Sequence, residues 1–383
     1  MICAWVLSLL IVSAATYGAL AFIGKDETPV LRDALNIIRT HFYFYDENED
    51  RLLDGAIRGM TQSLNDVYST YYTEEEYAEL TRTNSGYYTG IGIVIQEEQP
   101  GSFVIVQVFE NTPAEEEGLQ TGDYITELNG TAADELDLST FLLSMHAEDG
   151  EENDLTVNRD GTIITFHLVA RRIYAQTVTY RMQTDSIGYL HLSGFHGECV
   201  EEVKEAIETL RELGMQKLIM DVRDNPGGSL SDVCDIADLF LPKGLVITSL
   251  RSRTDQQKDY KTTREGFRFP MVLLVNANSA SASELLSGAL QDHGRAFLIG
   301  TKTYGKGIVQ SYYPVTGTGG YVKITTEAYY TPNGVCIHGI GITPDKSVEQ
   351  SEEAAKYSIP HIPYEFDAQL QQAVNYLESS ASN

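Results

Sequence analysis

The chain of 383 residues carries 55 acidic against 27 basic side chains, a formal charge of -28, with no basic block to offset it. Such a surface repels phosphate backbones and anionic lipid headgroups, which argues against nucleic acid as a partner. The length leaves room for two or three domains with cores of their own, and an apolar fraction of 42% is ordinary for a globular protein.

Residues 5–23 carry no charge and are rich in Leu, Val, Ala and Ile, and Lys25, Asp26 and Glu27 follow at once. That is one membrane span in length, or the apolar region of a signal peptide. The run is long for a signal peptide and no basic stretch precedes it. The expectation is an uncleaved anchor over 1–24, a true start upstream of Met1, and the rest of the chain outside the cytoplasm. Cleavage at Ala19-Leu20-Ala21, which would release a secreted protein, is the alternative. Cys3 falls with the apolar run. The other three, Cys199, Cys234 and Cys336, are too few for a disulfide framework, so buried thiols are expected.

From Pro29 to Arg82 the apolar residues Val30, Leu31, Ala34, Leu35, Ile37 and Ile38, then Leu52, Leu53, Ala56, Ile57, Met60 and Leu64, follow a helical period. Two or three short amphipathic helices joined by the aromatic link His41–Tyr45 are predicted over 25–86. Between Tyr87 and Arg172 short strands take over, at Ile91–Gln96, Phe103–Val108, Tyr124–Leu128, Leu155–Arg159 and Ile163–Leu168. Helical pieces interrupt them at Pro113–Glu117 and Leu138–Met145, and Gly118, Gly122, Asn129-Gly130 and Asp160-Gly161 mark turns. Over 173–350 strands alternate with helices. Strands are expected at Ile187–Leu192, Lys217–Asp221, Met271–Val275 and Ala296–Ile299, followed by several more up to Tyr330, and helices at Val200–Leu213, Leu230–Phe240 and Ser283–Gln291. This alternation predicts an α/β core around a largely parallel sheet. Residues 351–383 contain one amphipathic helix, Phe366–Leu377.

Two glycines precede a strand in Gly90-Ile91-Gly92-Ile93. Glycine lets successive N–H groups turn inward to hold a terminal carboxylate while the next strand pairs with an extended peptide, although most such loops are plain turns. Residues 111–125 (NTPAEEEGLQTGDYI) and Leu128-Asn129-Gly130 resemble the Pro-Ala helix, Gly-Asp turn and Asn-Gly turn of a PDZ domain. That resemblance covers about 87–172 and implies peptide contacts at Gly90, Ile91, Gly92 and Ile93.

A serine hydroxyl is a poor nucleophile until a base takes its proton. No Gly-x-Ser-x-Gly elbow occurs in the chain. Ser281 instead lies where a predicted strand gives way to a helix, whose start supplies free N–H groups and a positive dipole. Lys306 sits between Gly305 and Gly307 in apolar and aromatic company, Tyr304, Ile308 and Val309. Burial there would lower its pKa from about 10.4 toward the range where a lysine acts as a base, roughly 7–8. Taken alone, each feature has an ordinary explanation, a serine-rich helix cap and a surface lysine. Together, residues 275–285 (VNANSASASEL), 288–292 (GALQD), 300–310 (GTKTYGKGIVQ), 330–334 (YTPNG) and 341–345 (GITPD) resemble the carboxyl-terminal processing peptidases, or tail-specific proteases. The likeness runs from about Phe42 to Ala373.

That resemblance implies a multidomain α/β protein: a ClpP/crotonase-like protease core, an inserted mostly-β PDZ domain and an N-terminal helical segment. It implies Ser281 as nucleophile, Lys306 as base and Gln310 as the residue that orients the lysine. The turn in Asp221–Ser229 (DVRDNPGGS) would give the oxyanion a backbone N–H from Gly227, with Gly228 as its rival, beside that of Ala282. It implies no cofactor, and protein or peptide substrates with exposed C-termini. A homo-oligomer and a PDZ adaptor with an inactive core stay open. His191, His196, His293 and His338 share no spacing, so a Ser-His pair is the weaker reading, and no His-x-x-x-His or Cys-x-x-Cys pair suggests a metal. Relatives commonly carry an Arg-Gly pair after the second PDZ helix, where this chain has Ser144–Gly150 (SMHAEDG). Coupling of peptide binding to the protease site would then run through His146, with added pH sensitivity, or be absent.

Overall fold

The computed structural model describes residues 28–45, 49–109, 111–145 and 148–379. The charge-free run 5–23 and His146 lie outside the described residues. Among those described, no helix is long and apolar enough to cross a membrane.

The chain divides into two units, 1–63 and 64–383. The first contains helices α1 (Thr28–His41) and α2 (Glu49–Gln62), as the helical spacing predicts. Near the end of α2 the buried Thr61 returns its hydroxyl proton to the Arg58 carbonyl at 2.9 Å.

The second unit opens with a short strand that the spacing did not reveal, β1 (Thr70–Tyr72), and helix α3 (Glu74–Asn84). Thr73 and Glu76 close a reciprocal capping box at the start of α3. Strand β2 (Tyr87–Gly90) leads into the mostly-β module: β3 (Ile93–Gln99), β4 (Ser102–Val108), α4 (Pro113–Glu117), β5 (Tyr124–Leu128), β6 (Thr131–Ala132), α5 (Leu138–Ser144), β7 (Glu152–Arg159) and β8 (Thr162–Val169). The sheet order is β3-β4-β5-β7-β8, with β6 beside β5. Phe103, Ile105, Leu128, Phe141 and Leu155 fill its core, so the alternating apolar residues of each strand meet the helices on one face. Strand β9 (Arg171–Tyr174) returns antiparallel to β2, with Gly90 opposite Arg171 and Tyr87 opposite Tyr174. The module therefore enters and leaves through one two-stranded neck. The expected strand at Ile91 begins at Ile93 instead, because the Ile91 and Gly92 carbonyls accept from Ala114 and Phe109 N–H rather than from a ladder.

The α/β core is a sheet ordered β10-β11-β12-β15-β16-β19: β10 (Val178–Met182), β11 (Ile187–Leu192), β12 (Lys217–Asp221), β15 (Met271–Val275), β16 (Phe297–Gly300) and β19 (Lys346–Ser347). All its pairs from β11 onward are parallel, and β10 is antiparallel to β11. Helices α6 (Cys199–Glu212), α7 (Leu230–Asp238) and α8 (Ala282–Asp292) cover the face carrying Leu190, Leu218, Met220 and Leu273. Helix α9 (Ala368–Ser379) covers the other, where Tyr189, Ile219, Val272 and Leu274 meet Leu370, Ala373 and Val374. Burial on both faces explains why these strands read as continuous apolar runs.

A second sheet, unforeseen in most of its strands, is built on β18 (Tyr321–Tyr330). Strand β17 (Ile308–Pro314) pairs with it, as do β1 and β13 (Val246–Ser252), and β14 (Gln257–Lys261) extends β13. The pairing Thr70 with Lys323 joins residues far apart in the chain, a contact that no local pattern announces.

Candidate active site

Strand β15 ends in the run Asn276–Ser283, and the fold gives its three alternate serines different tasks. Ser279 and Ser283 are fully buried, their hydroxyls donating to the Val222 carbonyl at 2.7 Å and the Asn225 carbonyl at 2.9 Å. Ser281 alone of the three lines a cleft of about 760 Å³. It caps α8 with φ 55° and ψ -113°, a backbone region that an ordinary residue occupies only when its surroundings force it there, and such residues cluster at functional sites.

The force comes from Glu284, fully buried in the first turn of α8. Its Oε2 accepts the Ser281 N–H at 2.9 Å and the Lys306 N–H at 2.8 Å, and its Oε1 accepts the Gly305 N–H at 2.7 Å and the Thr303 hydroxyl at 2.6 Å. One carboxylate thus ties the backbone of the candidate nucleophile to that of the candidate base. The Tyr329 hydroxyl repeats the tie from the other side, within hydrogen-bond reach of both the Ser281 and the Lys306 carbonyls. The motif reading passed over Glu284, although a serine followed three residues later by glutamate is the spacing of a capping box.

Lys306 enters from the segment before β17. A side chain on Gly307 would place its Cβ 2.5 Å from the His338 N atom, so glycine is needed for the close approach. The Lys306 ammonium lies 4.7 Å from the centre of the Tyr68 ring, a cation–π contact. Burial lowers its pKa, the nearby Lys323 lowers it further, and Asp66 works in the opposite direction. No hydrogen bond joins Lys306 Nζ to Ser281 Oγ or to Gln310; the Gln310 Nε2 donates instead to Thr325 Oγ1 at 3.2 Å.

Asp221–Ser229 forms the opposite wall. Arg223 is fully buried, its guanidinium divided between Asp221 and Asp367, with Gln369 accepting at 3.0 Å. Asn225 donates to the Leu192 carbonyl at 2.8 Å and accepts the Gly227 N–H at 2.8 Å. Gly227 is positioned as expected, its missing Cβ directed 2.8 Å from Ser281 Cβ and 2.9 Å from Ala282 N. Its N–H, however, is already taken by Asn225. The Gly228 N–H has no partner among the described residues, and Gly228 packs so closely on Phe195 that an added Cβ would meet the Phe195 carbonyl oxygen at 2.1 Å. Ala282, first residue of α8, has a free N–H by position.

The cleft brings Ser281, Lys306, Gln310, Gly227, Gly228 and Ala282 together. Of the described histidines, only His196 also lines it. His191 is buried with its pKa pushed down by that burial, and His293 bonds the Val246 carbonyl at 2.7 Å. Among the described residues no group of three or more His, Cys, Asp or Glu is placed to hold a metal ion. Cys199, Cys234 and Cys336 are free thiols, and burial pushes the first two up to about 12.

The four PDZ positions lie apart from this cleft. Gly90 closes β2, Ile91 is buried in the module's core, Gly92 has φ 91°, and Ile93 opens β3. Since β3 is the last strand on its side of the sheet, it is open to pairing by an extended chain.

Comparison with known proteins agrees in each region. The description "Peptidase family S41" matches residues 186–348, "PDZ domain" matches 89–169, and "Activating protease CtpB N-terminal domain" matches 12–76. A carboxy-terminal-processing protease of Bartonella bacilliformis is 36% identical over 326 residues, covering 83% of this chain and 74% of that protein. A probable CtpA-like serine protease of Staphylococcus aureus is 30% identical over 322 residues, covering 83% of this chain and 64% of its own length. Two solved structures share the fold. A photosystem II D1 C-terminal processing protease aligns with a TM-score of 0.51 at 24% identity, over 82% of this chain and 86% of its own. A putative S41 protease from Bacteroides fragilis aligns with a TM-score of 0.53 at 16% identity, over 84% and 88%. This chain belongs to the carboxy-terminal-processing serine peptidases of peptidase family S41, with a PDZ domain ahead of the peptidase unit.

Proposed function

We propose that the protein is an endopeptidase that captures the unstructured, apolar C-terminal tail of a protein substrate by strand addition to β3 and passes it to Ser281. Neutral Lys306 takes the Ser281 hydroxyl proton as Oγ attacks the scissile carbonyl, and the oxyanion is held by the Gly228 and Ala282 N–H groups. Lys306 then returns the proton to the departing amine, and water, activated in the same way, releases the acyl group from Ser281. The observation that carries this reading is the convergence on one cleft of a strained serine, a lysine whose pKa burial lowers, and two free N–H groups. Residues 5–23 support an anchored protein facing out of the cytoplasm; fractionation of the full chain, with protease accessibility from the outer side, tests that part.

Cleavage of a peptide with an apolar C-terminal tail tests the chemistry. Ser281→Ala is expected to abolish it and Lys306→Ala to lower it by roughly 10²–10⁴-fold, the range a positioned base supplies. Full activity in Lys306→Ala would overturn the dyad. A parent protein that binds the tail yet cleaves nothing would make the chain an adaptor.

A further inference from the structure

Across β17 and β18, Gln310 stands opposite Thr325 and Tyr312 opposite Lys323, and β1 runs along the same end of β18. The turn into β1 carries Asp66, whose Oδ2 accepts the Ser69 hydroxyl at 2.6 Å and the Thr325 hydroxyl at 2.7 Å, while its Oδ1 accepts the Tyr68 N–H at 3.0 Å. The Thr325 N–H donates to Ser69 Oγ at 3.2 Å, closing the ring. Burial works to raise the Asp66 pKa, but these three bonds carry it below the ordinary carboxylate value, so at neutral pH the group only accepts. A hydroxyl has one proton. With the Thr325 proton given to Asp66, its oxygen meets Gln310 with a lone pair, and the end of the Gln310 amide that faces it must be the NH₂.

We propose that Asp66, acting through Thr325, is a positioning residue for Gln310, holding its side-chain amide so that the carbonyl Oε1 is the end left available to Lys306. The assignment rests on the Ser281–Lys306 reading above. The same short segment also supplies Tyr68 beneath the lysine ammonium, so one strap from far upstream supports both members of the base side. The charged and titratable groups around the pair are Lys323 on β18, Asp66 and Tyr68 on the strap, and Tyr304 and Glu284 beside Tyr68, with His338 facing Asp66.

The test uses the full chain, steady-state cleavage of a tailed peptide across pH, thermal melting, and Lys306→Ala as reference. Thr325→Val, which removes the relay without changing charge, is expected to lower kcat about tenfold or more, part of the roughly 10²–10⁴-fold that a positioned base supplies, with KM little changed. Thr325→Ser restores the hydroxyl and is expected to restore kcat. Asp66→Asn is expected to lower kcat and to move the acid limb of the rate profile to lower pH. The sign follows because Lys306 works as a base when neutral and the Asp66 charge raises its pKa. The limb shift reports the Asp66 charge alone; a merely structural Asp66 would lower the melting temperature and leave kcat of the folded Asp66→Asn and Thr325→Val enzymes at the parent value. Wild-type kcat in Thr325→Val with an inactive Lys306→Ala overturns the Asp66 assignment alone, whereas an active Lys306→Ala overturns the reading beneath it. Should Asp66→Asn fail to fold, the Thr325→Val and Thr325→Ser pair decides.

Discussion

The two walls of the cleft are built differently. On the side of Ser281 the supporting groups are buried: Ser279, Ser283, Glu284, Arg223 and Asn225 all have no exposed surface, and their side chains are hydrogen-bonded to other parts of the protein interior. On the base side, Gln310, Thr325, Lys323 and Asp66 are only half-buried, and their bonds run to a short edge strand. In a low-dielectric interior such bonds are strong and any one left unpaired is expensive, whereas bonds at a half-exposed sheet edge can exchange with water. Ser281 and the N–H groups beside it are therefore set once by folding, while Lys306 depends on contacts that can loosen locally. The absence of a hydrogen bond from Lys306 to Ser281 fits that division.

Glu284 bridges the two walls through four hydrogen bonds, where the Tyr329 hydroxyl makes two, so its loss is expected to have the largest effect. In Glu284→Gln the amide NH₂ must face N–H donors, and each charge-assisted bond forfeited is worth about 1.5–3 kcal/mol. Either oxygen accepts two such bonds, so denaturant unfolding should show a loss of roughly 3–6 kcal/mol and peptide cleavage a fall beyond that caused by unfolding; an enzyme of normal stability and activity would mean that the walls are not joined there.

Asp367→Asn comes next and acts on the nucleophile side only, through Arg223. Removing one partner of a buried ion pair costs about 3–5 kcal/mol. Burial tends to raise the Asp367 pKa, but the hydrogen bonds and charge of Arg223 hold it below the ordinary value. Its contribution is thus complete above the unfolded carboxylate pKa of about 3.9 and lost as the pH falls through the lower folded value. Urea unfolding of parent and variant at pH 7 and pH 3 should show the gap narrowing in acid; a constant gap would remove the charge from the explanation.

The smallest effect is expected on the base side. Lys323→Met deletes the positive charge that helps lower the Lys306 pKa, so the acid limb of kcat should move to higher pH by about one unit or less. This is opposite in sign to Asp66→Asn, and two shifts in the same direction would contradict the described geometry.

Much of this protein was legible before its fold was known. The parallel strands Lys217–Asp221 and Met271–Val275 match their predicted limits, because an apolar run buried on both faces is a local signal. The helix Pro113–Glu117 matches as well, marked by its Thr112 cap, its first-turn proline and the left-handed Gly118. The motif at Asn276–Gln310 pointed to Ser281, Lys306 and Gln310, and the fold brings all three to one cleft. Strand β1 was missed because three residues carry no period, and its partners at 321–323 lie on another part of the chain. The bond from the Gly227 N–H to Asn225 was equally out of reach, since Gly227 and Gly228 are two glycines in one turn and only the folded Asn225 side chain tells them apart.

What the sequence by itself determined is the chemistry on offer, a serine, a lysine and a glycine turn, and the alternation of elements that carries them, since residue type and period are local properties. The tertiary structure alone decided which of three serines faces the cleft, which glycine N–H is bonded to Asn225 and which carboxylate stands behind Gln310. Those choices are made by hydrogen bonds between residues that meet only on folding, Ser283 with Asn225 across 58 positions and Thr325 with Asp66 across 259.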